Sequence, residues 1–405
     1  MAGLGSSFRR LLTASALSNG ADGVFQVALP ILAVSLTRSP AQVAGVALAA
    51  RLPWLFMALP AGALADRLDR RRTMVRVQLS RVVVMGALAG VVALDQAAMW
   101  MLYLAAVVLG IGETLFDTAA QSILPSLVGR DDLARANGRQ QAVELVMNAF
   151  LGPPLGGLLA AVALALAFGV SAAAFLLAAI ALMSVAGSFR PERTAAEATR
   201  TLRQDIIEGV AFVWGHPVLR TLGLMLGTTN LAFTAHGSIF VLYAIRPGPM
   251  GLTPTGFGLL LASASVGGVA GSLAADPIAR SVGPTRCLRV AVVVFGSALA
   301  VPALTASVVA NGVAFMAATF AGVVWNVITV SLRQRITPDR LLGRMNSAYR
   351  LLGWGTMPIG AALGGLVAET AGLRATFVVA AALHLPMLLG FIVVTDRRMR
   401  DAEEG

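Results

Sequence analysis

Runs of about twenty consecutive apolar residues recur from one end of this 405-residue chain to the other, each long enough to cross about 30 Å of hydrocarbon as a helix. Twelve can be delimited: residues 11–36, 42–64, 74–94, 99–122, 140–163, 168–188, 218–244, 255–275, 287–306, 310–332, 345–368 and 373–395. A lipid-embedded backbone must satisfy its own hydrogen bonds, which leaves helices and closed barrels. The runs are continuous and do not alternate with period two, which argues against a barrel. The chain therefore reads as an all-α polytopic membrane protein with twelve transmembrane helices. Composition agrees: 57% of residues are hydrophobic and 13% charged, against about 25% charged in a soluble domain. The run at 11–36 exceeds the apolar core of a signal peptide, so it reads as a retained first helix.

The formal net charge is +11, and all 31 basic residues are arginine. With the N-terminus inside, the even-numbered connections with the inner ends of their flanking spans, and both termini, carry 27 arginines. The outer loops carry Arg38, Arg246 and Arg374, and Arg51 falls within a span. The positive-inside rule then places both termini in the cytoplasm of a multi-pass plasma (inner) membrane protein. Such a balance in a soluble protein would suggest nucleic acid. Here the arginines face an anionic leaflet, so membrane lipid is the expected partner and nucleic acid is not. Cys287 is the single cysteine, which excludes an intrachain disulfide. His216, His236 and His384 lack metal-ligand spacing. No nucleophile–base pair or phosphate loop appears, so neither an enzyme nor direct ATP drive is expected. The energy source is then an ion gradient, with no cofactor.

The two halves repeat. AGALA at 61–65 matches AGSLA at 270–274, LARAN at 133–137 matches LGRMN at 342–346, and LGGLLA at 155–160 matches LGGLVA at 363–368. The near-constant offset of 208–209 residues indicates duplication of a six-helix unit. This divides the chain into an N-terminal bundle (1–188), a cytoplasmic linker (189–217) and a C-terminal bundle (218–405). In the linker, Leu202, Ile206, Ile207, Val210, Val213 and Trp214 fall on one helical face, the pattern of an amphipathic helix on the inner membrane surface. Parallel repeats of this kind build transporters with a midplane site between the halves.

The segment Gly62-Ala-Leu-Ala-Asp66-Arg67-Leu-Asp-Arg70-Arg71 resembles the loop 2–3 signature of the major facilitator superfamily, with Asp69 where the pattern has Gly. Its DRLDRR form, together with SILPSLVGRDDLARANG and DIIEGVAFVWGHPVLR, resembles the branch of macrolide efflux proteins and enterobactin exporters. The resemblance implies a latch: Asp66, with Gly62, Arg67, Arg70 and Arg71 around it, holding the outward-facing state against the start of span 11 near Arg344–Asn346. A purely topogenic charge cluster is the alternative. In span 5, Gly152-Pro153-Pro154-Leu155-Gly156-Gly157 resembles the signature of the superfamily's antiporters, with Asn148 where a further Gly stands. A plain Gly/Pro packing kink is the alternative there. The arginine of span 4 that many drug:proton antiporters carry is absent; Glu113 and Asp117 occupy that stretch.

Charge inside the membrane costs about 2.5–3.5 kcal/mol per residue and marks a partner or an aqueous cavity. Asp22 lies about 16 Å into span 1, and Arg51 about 14 Å into span 2 from the other side. Equal depth on neighbouring helices predicts that the two lie near each other. Glu113 is the second candidate for coupling, while Asp117 and Glu144 could pair with loop arginines such as Arg135 or Arg139. Candidate cavity residues are Phe25, Trp54, Phe116, Asp117, Asn230, Phe233, His236, Trp325 and Asn326, an apolar and aromatic set suited to a bulky lipophilic molecule. The expected function is export of lipophilic small molecules by proton antiport through alternating access, by a monomer. A metabolite importer, and a non-transporting sensor or lipid-handling protein on the same scaffold, remain the alternatives.

Overall fold

The computed structural model describes residues 5–65, 68–129, 132–185, 187, 189, 202–338 and 341–404. The first four helices are α1 (Ser6–Leu36), α2 (Pro40–Ala65), α3 (Arg70–Ala93) and α4 (Met99–Ile123). The fifth span is composite: α5 (Leu133–Glu144), a π-helical stretch (Leu145–Leu151) and α6 (Gly152–Val162). α7 (Leu164–Met183) closes the first series, and α8 (Leu202–Gly215) follows in the linker. The second series is α9 (Pro217–Ala244), α10 (Pro254–Val282), α11 (Pro284–Leu304), α12 (Val308–Ile336), a broken span α13 (Leu342–Trp354) plus α14 (Thr356–Ala371), and α15 (Leu373–Ala382), continued by a 3-10 stretch (Leu385–Ile392). A short polar helix, α16 (Asp396–Glu404), ends the chain.

Among the described residues ten helical stretches are long and apolar enough to cross a bilayer. The pair α8–α9, bent by 108°, brings the count to eleven, and α2 is a further 26-residue helix. Observed helices outrun the apolar runs at their arginine-bearing ends. α3 begins at Arg70 and α12 continues to Ile336, because a helix propagates through charged turns without needing apolar surface.

The chain packs as two compact units, each drawing on both halves of the sequence. The first comprises Met1–Arg38, Ala49–Thr194 and Ala244–Ala262; the second comprises Ser39–Leu48, Ala195–Tyr243 and Ser263–Gly405. The core of the first gathers Phe8, Leu11, Met74, Phe116, Ile123 and Leu182. That of the second gathers Leu222, Leu288, Val292, Leu332, Met387 and Phe391. Glycines set the closest approaches. A Cβ on Gly156 would stand 2.7 Å from the Val24 carbonyl of α1, and one on Gly157 would stand 2.4 Å from that of Pro254 at the start of α10. In the second unit a Cβ on Gly364 would stand 2.3 Å from the Ala235 carbonyl of α9, and one on Gly365 would stand 2.7 Å from Cβ of Ala44 in α2. The GG pair thus has the same use in both repeats: one glycine admits the first or seventh span, its neighbour the second or eighth.

α8 lays Val210 and Val213 against Met345, Ala348 and Tyr349 of α13, and Glu208 forms an ion pair with Arg344. The apolar face expected on the membrane surface is therefore divided. Part of it covers α13, while Ile207 and Trp214 stay exposed.

Candidate functional site: a buried carboxyl–guanidinium cluster

α1 carries a stripe of polar residues at helical spacing: Ser15, Ser18, Asn19, Asp22 and Gln26. Asp22 meets α3 there. Its Oδ2 stands 3.3 Å from Nη1 of Arg81, whose side chain has no exposure at all, against 13% for Asp22. The same Nη1 donates to Oγ of Ser18 (3.1 Å), Nη2 donates to the Leu109 carbonyl of α4 (3.3 Å), and the guanidinium stacks 5.0 Å from the ring of Phe175 on α7. Contacts from α1, α4 and α7 thus fix this one arginine of α3. Gly112 makes room for it, since a Cβ there would stand 2.8 Å from Nε.

The predicted neighbour of Asp22, Arg51, is not its partner. Arg51 is exposed on α2, and the ion pair of Asp22 is with Arg81. Depth along a helix fixes height in the membrane and says nothing of azimuth, so equal depth alone did not identify the contact. Glu113, Asp117 and Glu144 also belong to this cluster. Glu113 lies within electrostatic reach of Asp22, and Asp117 within reach of Glu113, Glu144, Asp22 and Arg81. Among the described residues Asp117 and Glu144 form no ion pair with Arg135 or Arg139; Arg135 pairs with Asp132. Among the described residues no group of three acids, histidines or cysteines is arranged to hold a metal ion.

Next to the cluster lies the irregular part of span 5. Asn148, within the π-helical stretch, accepts from Nε2 of Gln26 (2.6 Å) and donates to Oδ1 of Asn19 (3.5 Å). The residue that departs from the antiporter signature therefore ties span 5 to the polar stripe of α1. Pro153 and Pro154 lack the N–H groups that would bond four residues back, which fits a π-helical register there. Gly152 packs on Gly23, where a Cβ would stand 2.5 Å from the Gly23 Cα. The second unit repeats the arrangement. Nδ2 of Asn230 on α9 donates to the Gly353 carbonyl near the α13–α14 break (2.9 Å).

The aromatic candidates divide. Phe116 is 2% exposed in the core of the first unit and is not a cavity wall, and Phe25 is buried. Trp54 is half-buried on α2. Phe233 is exposed and tilted against Phe295. His236 is buried among Phe240, Phe315 and Phe377. Trp325 packs on the core of the second unit, and Asn326 is exposed.

Of the latch residues, Asp66 and Arg67 lie outside the described residues, and Gly62 falls in α2. The rest of the loop binds the end of α7. Arg71 donates to the Val185 carbonyl (2.6 Å), and Arg10 donates to that of Ser184, so cations sit where the helix dipole is negative. Asp69 caps α3 through the Arg72 N–H (2.9 Å) and accepts from the Phe189 N–H (3.1 Å). Burial pushes its carboxyl up. Those two N–H groups and the guanidiniums of Arg71 and Arg72 outweigh burial and hold it below the ordinary value.

The residue pattern, the twelve-span plan and the paired repeats find their counterpart among known proteins. The chain matches the family described as transmembrane secretion effector over residues 4–405. The chain belongs to this family of major facilitator transporters. It is 31% identical over 414 residues to the multidrug efflux pump Tap of Mycolicibacterium fortuitum, covering 97% of this chain and 96% of that one. It is 26% identical over 397 residues to the enterobactin exporter EntS of Salmonella typhimurium, covering 97% and 93%. Among solved structures the fold is shared with the nucleoside transporter NupG, at TM-score 0.77 and 12% identity over 96% of this chain and 99% of that one. It is also shared with a bacterial homologue of the iron transporter ferroportin, at TM-score 0.72 and 18% identity over 95% and 98%. The protein is thus a multi-pass membrane transporter of the major facilitator fold.

Proposed function

We propose that this transporter exports lipophilic small molecules across the plasma membrane in exchange for protons, by alternating access, with Asp22 as the proton-carrying group. The observation that carries the reading is the Asp22–Arg81 pair. An acid in mid-span retains 13% exposure, while its counter-ion is sealed in the protein. A proton carrier needs that asymmetry. The acid stays reachable, and the neighbouring cation changes the stability of its charged form whenever their distance changes. Glu113, Asp117 and Glu144 nearby leave more carboxyls than arginines in the cluster, so these acids take up protons as a coupled set. Export, rather than uptake, follows the relatives named as efflux pump and exporter.

The test is purified protein in liposomes with an imposed pH gradient and a trapped pH dye, challenged with a panel of lipophilic antibiotics and dyes. Substrate-triggered proton release is expected in the wild type and absent in Asp22→Asn. Release that survives Asp22→Asn moves the carrier to Glu113; no release with any compound overturns the antiport reading.

A further inference from the structure

On α3, one turn from Arg81 toward the arginine-rich end, stands Gln78. Its side chain is fully buried, and neither its Oε1 nor its Nε2 has a hydrogen-bond partner among the described residues. On α1, one turn before Ser18, Oγ of Ser15 is also buried and without a partner among the described residues. Nε of Arg81 is the fourth such atom. Buried amides are almost always satisfied, and one with both ends idle calls for an explanation. Apolar surroundings supply none: the buried face of α3 is otherwise Met74, Val77, Met85 and Leu88, where a leucine or methionine would pack without an idle polar group.

We propose that Gln78 is the second seat of the Arg81 guanidinium, a positioning residue that receives Arg81 when Asp22 takes up a proton. This rests on the reading of Asp22 as the proton carrier. When that proton arrives, Arg81 loses its only ion-pair partner among the described residues at a site with no exposure. An arginine cannot shed its own charge. It must find acceptors, and Ser18, Leu109 and the Phe175 ring already hold it while Asp22 is charged. Residues three apart on a helix have neighbouring side chains, so a rotamer change of Arg81 turns its guanidinium toward the idle Oε1 of Gln78. Gly112 leaves the Nε side of the arginine free of a side chain on α4. The charged and titratable groups of the cluster around Arg81 are Asp22 on α1 and Asp117 on α4, which interact with it, and Glu113 on α4 and Glu144 on α5, which interact with those acids; α7 contributes the uncharged Phe175. Each acid would be stabilised by an arginine that stays toward α1 and α4. A neutral amide at the other end gives Arg81 a place to go without trapping it.

The experiment is a pH titration of the full-length protein in lipid nanodiscs by difference infrared spectroscopy. The stretch of the protonated carboxyl is assigned to Asp22 with Asp22→Asn. Gln78→Met, close to isosteric, removes the second seat and should move the Asp22 midpoint toward acid by about one pH unit, a tenfold rise in the proton concentration needed. Gln78→Glu offers a charged seat, draws Arg81 away and should move the midpoint the opposite way. Opposed shifts support the proposal, because a merely structural residue would move both variants alike or neither. Unmoved midpoints, or shifts of one sign, overturn it. The titration is read without transport. Opposed shifts with no substrate-triggered proton release would overturn the exchange reading alone. Proton release with unmoved midpoints would overturn the role of Gln78 alone, and an Asp22 band that never titrates would overturn both.

Discussion

At the scale of the residue, the decisive group is Arg81. Removing either partner of a buried pair costs about 3–5 kcal/mol when the survivor stays charged, but the two survivors here differ. Without Arg81, Asp22 can accept a proton and become neutral; without Asp22, Arg81 remains a cation at a site with no exposure. Asp22→Leu should therefore lower the thermal unfolding temperature in detergent more than Arg81→Met, and the double variant should recover part of the loss. The reverse order would mean that the pair is not what stabilises α1 against α3. Much of the cluster was legible in the sequence: Asp22, Glu113 and Asp117 stand out as acids inside apolar runs. Arg81 did not. A tally of arginines by connection grouped it with the loop cations of 67–76, although it lies eleven residues beyond the start of α3. The signal lay in the period, since Met74, Val77, Gln78, Arg81, Met85 and Leu88 share one buried face. Gln78 was missed for the same reason.

At the scale of the element, the apolar runs marked the spans directly, because a bilayer leaves a helix as the main way to bury that much backbone. What they could not mark is how helices begin, break and are tied together. Two acids do the tying outside the membrane. Asp69 at the start of α3 accepts from Phe189 beyond α7, and Asp396 at the start of α16 accepts from the N–H and hydroxyl of Thr285 at the start of α11. Each repeat thus links its third span to the chain beyond its sixth, with the acid supplied from opposite partners. Burial raises both carboxyls. For Asp69 it is outweighed by backbone N–H groups and arginines; for Asp396 it is outweighed by Thr285, Arg400 and Arg286, so both lie below the ordinary carboxylate value. A depressed carboxyl stabilises the fold above its unfolded value and loses that contribution as pH falls through the folded one. Asp69→Asn and Asp396→Asn should therefore unfold at lower temperature than wild type at about pH 6, and the deficit should shrink toward about pH 3. A deficit that is constant with pH would mean that packing, rather than charge, makes these joints.

At the scale of the whole molecule, the arginine asymmetry yields a topology that can be tested independently of transport. A phosphatase reporter, active only outside the cytoplasm, should be silent at either terminus and active when inserted beside Arg246 or Arg374; an active terminal fusion would reverse the assignment. The internal repeat was legible as an offset of 208–209 residues, yet the repeat is not the packing unit. The first unit includes Ala244–Ala262, and Gly157 is built to meet Pro254. That has a consequence for how the chain is made. A ribosome that has finished the first six spans has not finished the first unit. It must still deliver the linker, a seventh span and the opening turns of an eighth before Gly157 finds its contact. Until then Gly156 already has its neighbour in the first span, while Gly157 waits beside it for a partner from the far half of the sequence.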